Sequence, residues 1–238
     1  FTTVLPVHIS LEGEWEVGLS EIIYGNTWFN ITSQNDKISF LDDPNDLTVT
    51  LHIAKGRYED INGLLDTILK SLETESKRLN IDFNRNLGFV YNPHIKRCQI
   101  LINTDIIYNL QIPDDVVYML GFSQSQLTQL DNNSGRHTLY AGHPVDMTTS
   151  LNHLYIYCNV LKPQIVGNVL APLLQIVRID GKYVDTVCRT YMTPHYVPIL
   201  KKSFGEIELR IRDDLNRTIK FEYGKTIVKL HFRKIMDL

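Results

Sequence analysis

The chain has 238 residues, 43% of them hydrophobic, enough to bury a sizeable core, and β-rich chains of this length often fold as one domain, here with room for an insertion. A formal net charge of −3 and a pI near 6.2 exclude a broadly basic protein drawn to nucleic acid by counterion release. No run approaches the roughly 20 apolar residues of a membrane-spanning helix, and the N-terminus shows no basic segment followed by an apolar one, although the chain opens at Phe1 rather than Met.

In chain order, the first strong signal is GEWEVGLSEIIY, Gly13 to Tyr24. Trp15, Val17, Leu19 and Ile23 alternate with Glu14, Glu16 and Ser20, the period of a half-buried strand. Glu21 interrupts the apolar side, so a strand end or a partner for its carboxylate is expected, because an unpaired buried charge is costly. Leu47, Val49, Leu51 and Ile53 alternate with Thr48, Thr50 and His52 in a second strand.

The period then changes. Ile61, Leu64, Leu65, Ile68, Leu69 and Leu72 recur at spacings of three and four and predict an amphipathic helix, with Asp60 as its N-cap and Gly63 as a weak point. Strands near 87–91 and 96–102, joined by Asn92-Pro93-His94, predict a hairpin. A short helix fits Pro113 to Leu120, with Asp114 and Asp115 at the positive end of its dipole and Gly121 ending it. Residues 55–121 therefore read as a helix–hairpin–helix module set into a β-domain formed by 1–54 and 122–238, with a long polar surface excursion over 123–149.

Strand periodicity returns downstream. Leu154, Ile156, Cys158 and Val160 alternate with His153, Tyr155, Tyr157 and Asn159, and Leu174 and Ile176 continue the pattern. Ile207, Leu209 and Ile211 alternate with Glu206, Glu208, Arg210 and Arg212 before a turn at Asp213, Asp214 and Asn216. The last strand sets Val228, Leu230 and Phe232 against Lys229, His231 and Arg233.

Motifs for chemistry are sparse. The eight histidines show no HxH, HxxxH or HExxH spacing, and His137, His143 and Asp146 in one loop are the nearest approach to a metal cluster, read as exposed loop residues. There is no GxSxG elbow and no glycine-rich phosphate loop around Gly13, Gly18 or Gly25. Cys98, Cys158 and Cys188 form no CxxC and are expected to be reduced thiols, with Cys158 packed as a small hydrophobe. Asp213 and Asp214 read as turn residues. Lys201, Lys202, Lys220, Lys225, Lys229, Arg233 and Lys234 form a weak basic cluster, read as a solvated face in preference to a nucleic-acid or acidic-partner surface. Sequons occur at Asn30, Asn132 and Asn216.

FTTVL and LEGEWEVGLSEIIYGNTWFNI near the start, with GKYVDTVCRTYMTPHYVPILKKSFGEIELRIRDD and FEYGKTIVKLHFRK near the end, resemble the minor capsid protein, or penton, of Maverick/Polinton-type DNA elements and their adintovirus relatives. RYEDINGLLDTILKSL, a hairpin and a helix ending LGF resemble the module that interrupts those proteins. The likeness covers nearly the whole chain, most strongly 11–31 and 181–234. It implies a mainly β fold, a single jelly-roll sandwich of two antiparallel sheets with a small α/β insertion. It further implies a homopentamer at the fivefold vertices of an icosahedral capsid, beside trimers of a double jelly-roll major capsid protein, assembled inside the host cell, in the nucleus. No catalytic, cofactor or metal residue transfers from that family. A carbohydrate-binding β-sandwich, favoured by exposed tyrosines or an exposed Trp28, and a cupin-like metalloenzyme, disfavoured by the histidine spacing, are the competing readings.

Overall fold

The computed structural model describes residues 1–130, 134–148 and 151–235. They form two compact units, Phe1–Trp28 with Ser150–Leu238, and Phe29–Thr149. The fold is mainly β, built from several antiparallel sheets, as the sequence predicts.

The first unit begins with β1 (Thr2–Ser10) and β2 (Trp15–Gly25). In β1 only Leu5 and Ile9 pack on the core, and the ladder is irregular between Val4 and Ile9, around Pro6, which has no N–H to offer a neighbouring strand.

The second unit holds β3 (Lys37–Asp42), β4 (Leu47–His52), α1 (Ile61–Leu79), β5 (Leu87–Asn92), β6 (Arg97–Asn103), β7 (Ile107–Gln111), α2 (Asp114–Met119), α3 (Gln124–Thr128) and β8 (Arg136–Tyr140). Its sheets run β4-β3-β7 and β5-β6-β8. The predicted stripe of α1 is its buried face: Ile61, Leu64, Leu65, Ile68 and Leu72 join one core with Phe40, Phe83 and Ile100. Burial of each such side chain is worth roughly 1.5–3 kcal/mol. Asp60 caps the helix, its Oδ1 accepting from the N–H groups of Asn62 (2.9 Å) and Gly63 (3.1 Å). The helix outruns its apolar stripe to Leu79, helped by the pairs Lys77–Glu73 and Arg78–Glu75. Gly121, at φ +85°, turns the chain after α2.

This unit is larger than the expected module of 55–121. β3 pairs with β4 and with β7 instead of with the sandwich, and β8, inside the expected surface excursion, pairs with β6. Alternation identifies Leu47–His52 as a strand but carries no information on which sheet it joins.

The first unit resumes with β9 (His153–Cys158), β10 (Gln164–Val166), β11 (Val169–Ala171), β12 (Leu173–Arg178), β13 (Thr186–Thr190), β14 (Tyr196–Pro198), β15 (Ser203–Arg212) and β16 (Ile227–Lys234). One four-stranded sheet has the order β1-β15-β9-β12; in the other, β16 lies along one edge of β2 while β13 and β14 share the opposite edge. β10 and β11 form a hairpin between β9 and β12. The two sheets pack face to face over one core, with Val17, Leu19, Ile22 and Tyr24 from one and Leu154, Ile156, Leu209 and Ile211 from the other. The chain changes sheet between β1 and β2, β2 and β9, β12 and β13, β14 and β15, and β15 and β16, which makes the sandwich a jelly roll.

Two bulges correct the predicted strand faces. In β2 the register passes from Leu19 opposite Leu230 to Glu21 opposite Lys229, leaving Ser20 unpaired with β16. The extra residue reverses the alternation, so Ile22 and Tyr24 enter the core, Ile23 does not, and Glu21 turns outward opposite a lysine. In β12 an irregularity between Leu173 and Gln175 buries Leu174 and Val177 and leaves Ile176 43% exposed.

Candidate functional site

The residues singled out for possible chemistry do not assemble into a catalytic or metal centre. Among the described residues no group of three or more His, Cys, Asp or Glu is placed to hold a metal ion. His137 lies in β8 with Nε2 3.0 Å from the Ser134 carbonyl oxygen, and Asp146 accepts from the Thr148 N–H and hydroxyl. Asp213 is buried and organises the turn after β15, accepting from the N–H groups of Leu215 and Arg217 and from Arg217 Nε at 2.7 Å. Asp214 lies 3.5 Å from His153 Nδ1 and accepts from the Asn152 N–H.

The cysteines are free thiols; Cys98 and Cys158 are buried and Cys188 is exposed. Burial pushes the Cys98 thiol up to about 12 and raises that of Cys158. The Asn30 side chain is 4% exposed and fully engaged, donating to the carbonyls of Tyr58 and Met147 and accepting from the Tyr58 N–H, so this sequon serves the fold. Asn216, at φ +63°, serves its turn and accepts from Arg212; the sequon at Asn132 lies outside the described residues. Trp28 is buried against Tyr24 and Phe221, so it offers no exposed platform.

The basic cluster near the C-terminus meets the acidic side of β2. Lys202 Nζ is 2.6 Å from Glu14, Arg233 pairs with Glu16, and Lys229 stands opposite Glu21. Hydrogen bonding to Lys202 holds the Glu14 carboxyl below its usual range. Arg233 also lies 3.6 Å from the centroid of the Tyr196 ring, whose hydroxyl is 2.7 Å from His231 Nδ1. This is a self-neutralising outer face of the second sheet.

A groove of about 690 Å³ lies in the sandwich unit, on the outer face of the β1-β15-β9-β12 sheet. Tyr155 and Tyr157 of β9 line it, and the register places Arg212 opposite Tyr155 and Arg210 opposite Tyr157 on β15. Because Leu154, Ile156 and Cys158 fill the core, alternation sends both tyrosines to this outer face. Arg210 forks onto Glu208 at 2.8 and 3.1 Å, and this bond holds the Glu208 carboxyl below its usual range. Arg212 donates to Asn216 Oδ1 at 2.7 Å, with its guanidinium carbon 6.0 Å from the Tyr157 ring centroid. Burial first, and then the charge of Asp214 and a hydrogen bond to it, raise the Tyr155 phenol. Val166, Val169 and Leu170 of the hairpin, with Pro172 just before β12, form a wall. Sequence reading places Tyr155 and Tyr157 on one side of a strand and Arg210 and Arg212 on one side of another. Only the pairing of β9 with β15 brings them together.

No protein-family model matches the chain, and no curated protein matches it in sequence. Among solved structures, the chain is similar to the mavirus penton protein, known from a crystal structure of its selenomethionine-labelled form, with 14% sequence identity and a TM-score of 0.48 over 99% of this chain and 98% of that one.

Proposed function

We propose that the chain is a structural capsid protein, a penton that forms homopentamers at the fivefold vertices of an icosahedral capsid beside a double jelly-roll major capsid protein. The resemblance of 11–31 and 181–234 to the Maverick/Polinton penton family suggests the role, and three free thiols suit assembly inside a host cell.

The observation that carries the reading is a pair of exposed apolar surfaces in the sandwich unit, the edge strand β1 and the β10–β11 hairpin. β1 is an edge strand with Phe1 53%, Val4 77% and Val7 68% exposed. In the connection from β9 to β12, the separate β10–β11 hairpin sets Ile165 opposite Leu170, 81% and 73% exposed. An open edge strand with outward valines is a ready pairing surface. When complementary patches lie on different sides of one molecule the contact is head-to-tail, and a head-to-tail contact that closes makes a ring.

Size-exclusion chromatography with light scattering tests the proposal. The expected mass is that of five subunits, falling to one subunit in Val7→Asp and in Ile165→Asp. A chain that stays monomeric at high concentration, in several salts and when mixed with the major capsid protein would overturn it.

A further inference from the structure

We propose that the groove over Tyr155 and Tyr157 is a binding site for a neutral oligosaccharide. A pyranose ring presents C–H groups on its faces and hydroxyls around its rim, each hydroxyl both donor and acceptor. Its recognition therefore needs a flat aromatic surface combined with planar groups that donate or accept in pairs. The groove supplies both. Tyr155 and Tyr157, two residues apart on one strand, put two aromatic rings along its floor. Arg210, Arg212, Asn159 and Asn168 place guanidinium and carboxamide groups around them. At about 690 Å³ the groove falls within the range of small-molecule sites, roughly 300–1,000 Å³.

The charges select the class of sugar. Glu208, Asp213 and Asp214 line the groove against Arg210 and Arg212, so carboxylates outnumber guanidiniums. These groups are also committed to one another or to neighbours: Arg210 to Glu208, Arg212 to Asn216, Asp213 to Arg217, and Asp214 to His153 and Tyr155. A phosphate, sulfate or sialic acid would enter a site with no surplus of positive charge and would have to break an existing pair. That also disfavours single-stranded nucleic acid, which needs a positive groove along with its stacking surfaces. A neutral sugar takes up the remaining hydrogen-bonding capacity of polar groups already held in place, which lowers the ordering cost of binding.

The hairpin meets the groove along one side. Val166, Val169 and Leu170 line it, whereas Ile165, the 81% exposed cross-strand partner of Leu170, does not. A change at Ile165 therefore probes the proposed subunit contact without altering a lining residue of the groove.

The test is an array carrying neutral glucose-, galactose- and N-acetylglucosamine-containing oligosaccharides beside sialylated and sulfated ones, followed by calorimetric titration of the best ligand. Saturable binding of a neutral oligosaccharide is expected, weakened about tenfold by Tyr157→Ala, as for an aromatic anchor. Asn168→Ala, at an exposed turn position remote from the core, is expected to weaken binding without moving the melting temperature. Ile165→Asp, which removes the proposed subunit contact, is expected to retain it, so a failed ring and a failed binding site give different results. The proposal is overturned by an absence of neutral hits, by hits confined to sialylated or sulfated glycans, or by a neutral hit unaffected by both groove variants.

Discussion

Gly121→Ala should be among the most damaging single-methyl additions in the chain. Gly121 sits at φ +85° beyond α2, with its N–H bonded to the Tyr118 carbonyl at 3.0 Å and its own carbonyl accepting from the His143 N–H at 3.0 Å. A Cβ built there would stand 2.2 Å from the His143 carbonyl oxygen, a backbone atom, and 3.3 Å from Ala141 Cβ. The segment carrying His143 has little freedom to retreat, because Ala141 N–H bonds to Cys98 O, Val145 N–H to Lys96 O, and Asp146 N–H to Met119 O. The left-handed conformation alone costs an L-residue about 1–2 kcal/mol. Displacing a packed backbone segment adds about 1–3 kcal/mol, so a total of roughly 2–5 kcal/mol is expected. Gly135 in the same unit is the control: at φ +99° it carries the conformational cost, but a Cβ there meets nothing within 4 Å. Urea unfolding followed by the helical far-ultraviolet signal, which α1 of this unit dominates, measures both variants. Equal losses, within about 0.5 kcal/mol, would refute the steric reasoning, since that is the usual scatter of substitutions that disturb no contact.

Asp60→Ala should cost about 1 kcal/mol through the loss of two capping bonds, and Asp60→Asn less, by the same urea titration. Thiol labelling of the native chain should modify Cys188 alone, with Cys98 and Cys158 reacting only on unfolding; rapid native labelling of either buried thiol would contradict the packing. The Tyr24 hydroxyl is buried without a hydrogen-bond partner, so Tyr24→Phe should leave the melting temperature unchanged or raise it; a clear fall would reveal a bond to the hydroxyl. Burial raises both Tyr24, from 10.0, and Cys98, from 9.0, to about 12. The unfolded chain therefore releases these protons first, so their contribution to stability is complete below pH 9 and is lost as pH rises towards 12. Cys98→Ala and Tyr24→Phe should each flatten that alkaline decline in pH-dependent denaturation. Deleting Ser20 removes the unpaired bulge residue and leaves Val17, Leu19, Ile22 and Tyr24 in strict alternation. The shortened chain should fold, at a cost of roughly 1–3 kcal/mol for bonds to the Lys229 carbonyl and the Tyr191 N–H, and a failure to recover native circular dichroism would refute the parity argument.

The local features of the fold were legible because each rests on a short-range rule. The α1 stripe with its Asp60 cap, the hairpin around Asn92-Pro93, the glycine after α2 and the alternation of β9, β15 and β16 all depend on residues within one or two turns or strands. Sheet membership was not legible. Leu47–His52 has the same alternation whether its partner is a sandwich strand or β3, and its pairing with β3 is what assigns it to the other unit. Single-residue bulges were equally invisible, since an extra residue leaves no compositional trace at Ser20 or beside Leu174 and yet reverses every side chain beyond it. The groove combines both difficulties: its tyrosines and arginines lie on strands far apart in sequence, and their faces follow from the register between them.

The charge pattern of β2 bears on how such a molecule recognises anything. In the sequence, Glu14, Glu16 and Glu21 lie in or beside one amphipathic strand, far from the weak basic cluster read as a solvated face. In the sandwich these belong to one surface: Lys202 meets Glu14, Arg233 meets Glu16 and Lys229 stands opposite Glu21. Exposed pairs of this kind contribute little to stability, about 0–1 kcal/mol each, and salt screens them further. Their larger effect is to cancel the field that either row alone would project, leaving little long-range attraction for a polyanion or a polycation on this face. The groove across the other sheet pairs Arg210 with Glu208 and Asp213 with Arg217 in the same way. With both outer faces locally neutralised, selectivity must come from contacts that act only at close range: the exposed apolar edges of β1 and the β10–β11 hairpin for a protein neighbour, and the rings of Tyr155 and Tyr157 for an uncharged ligand.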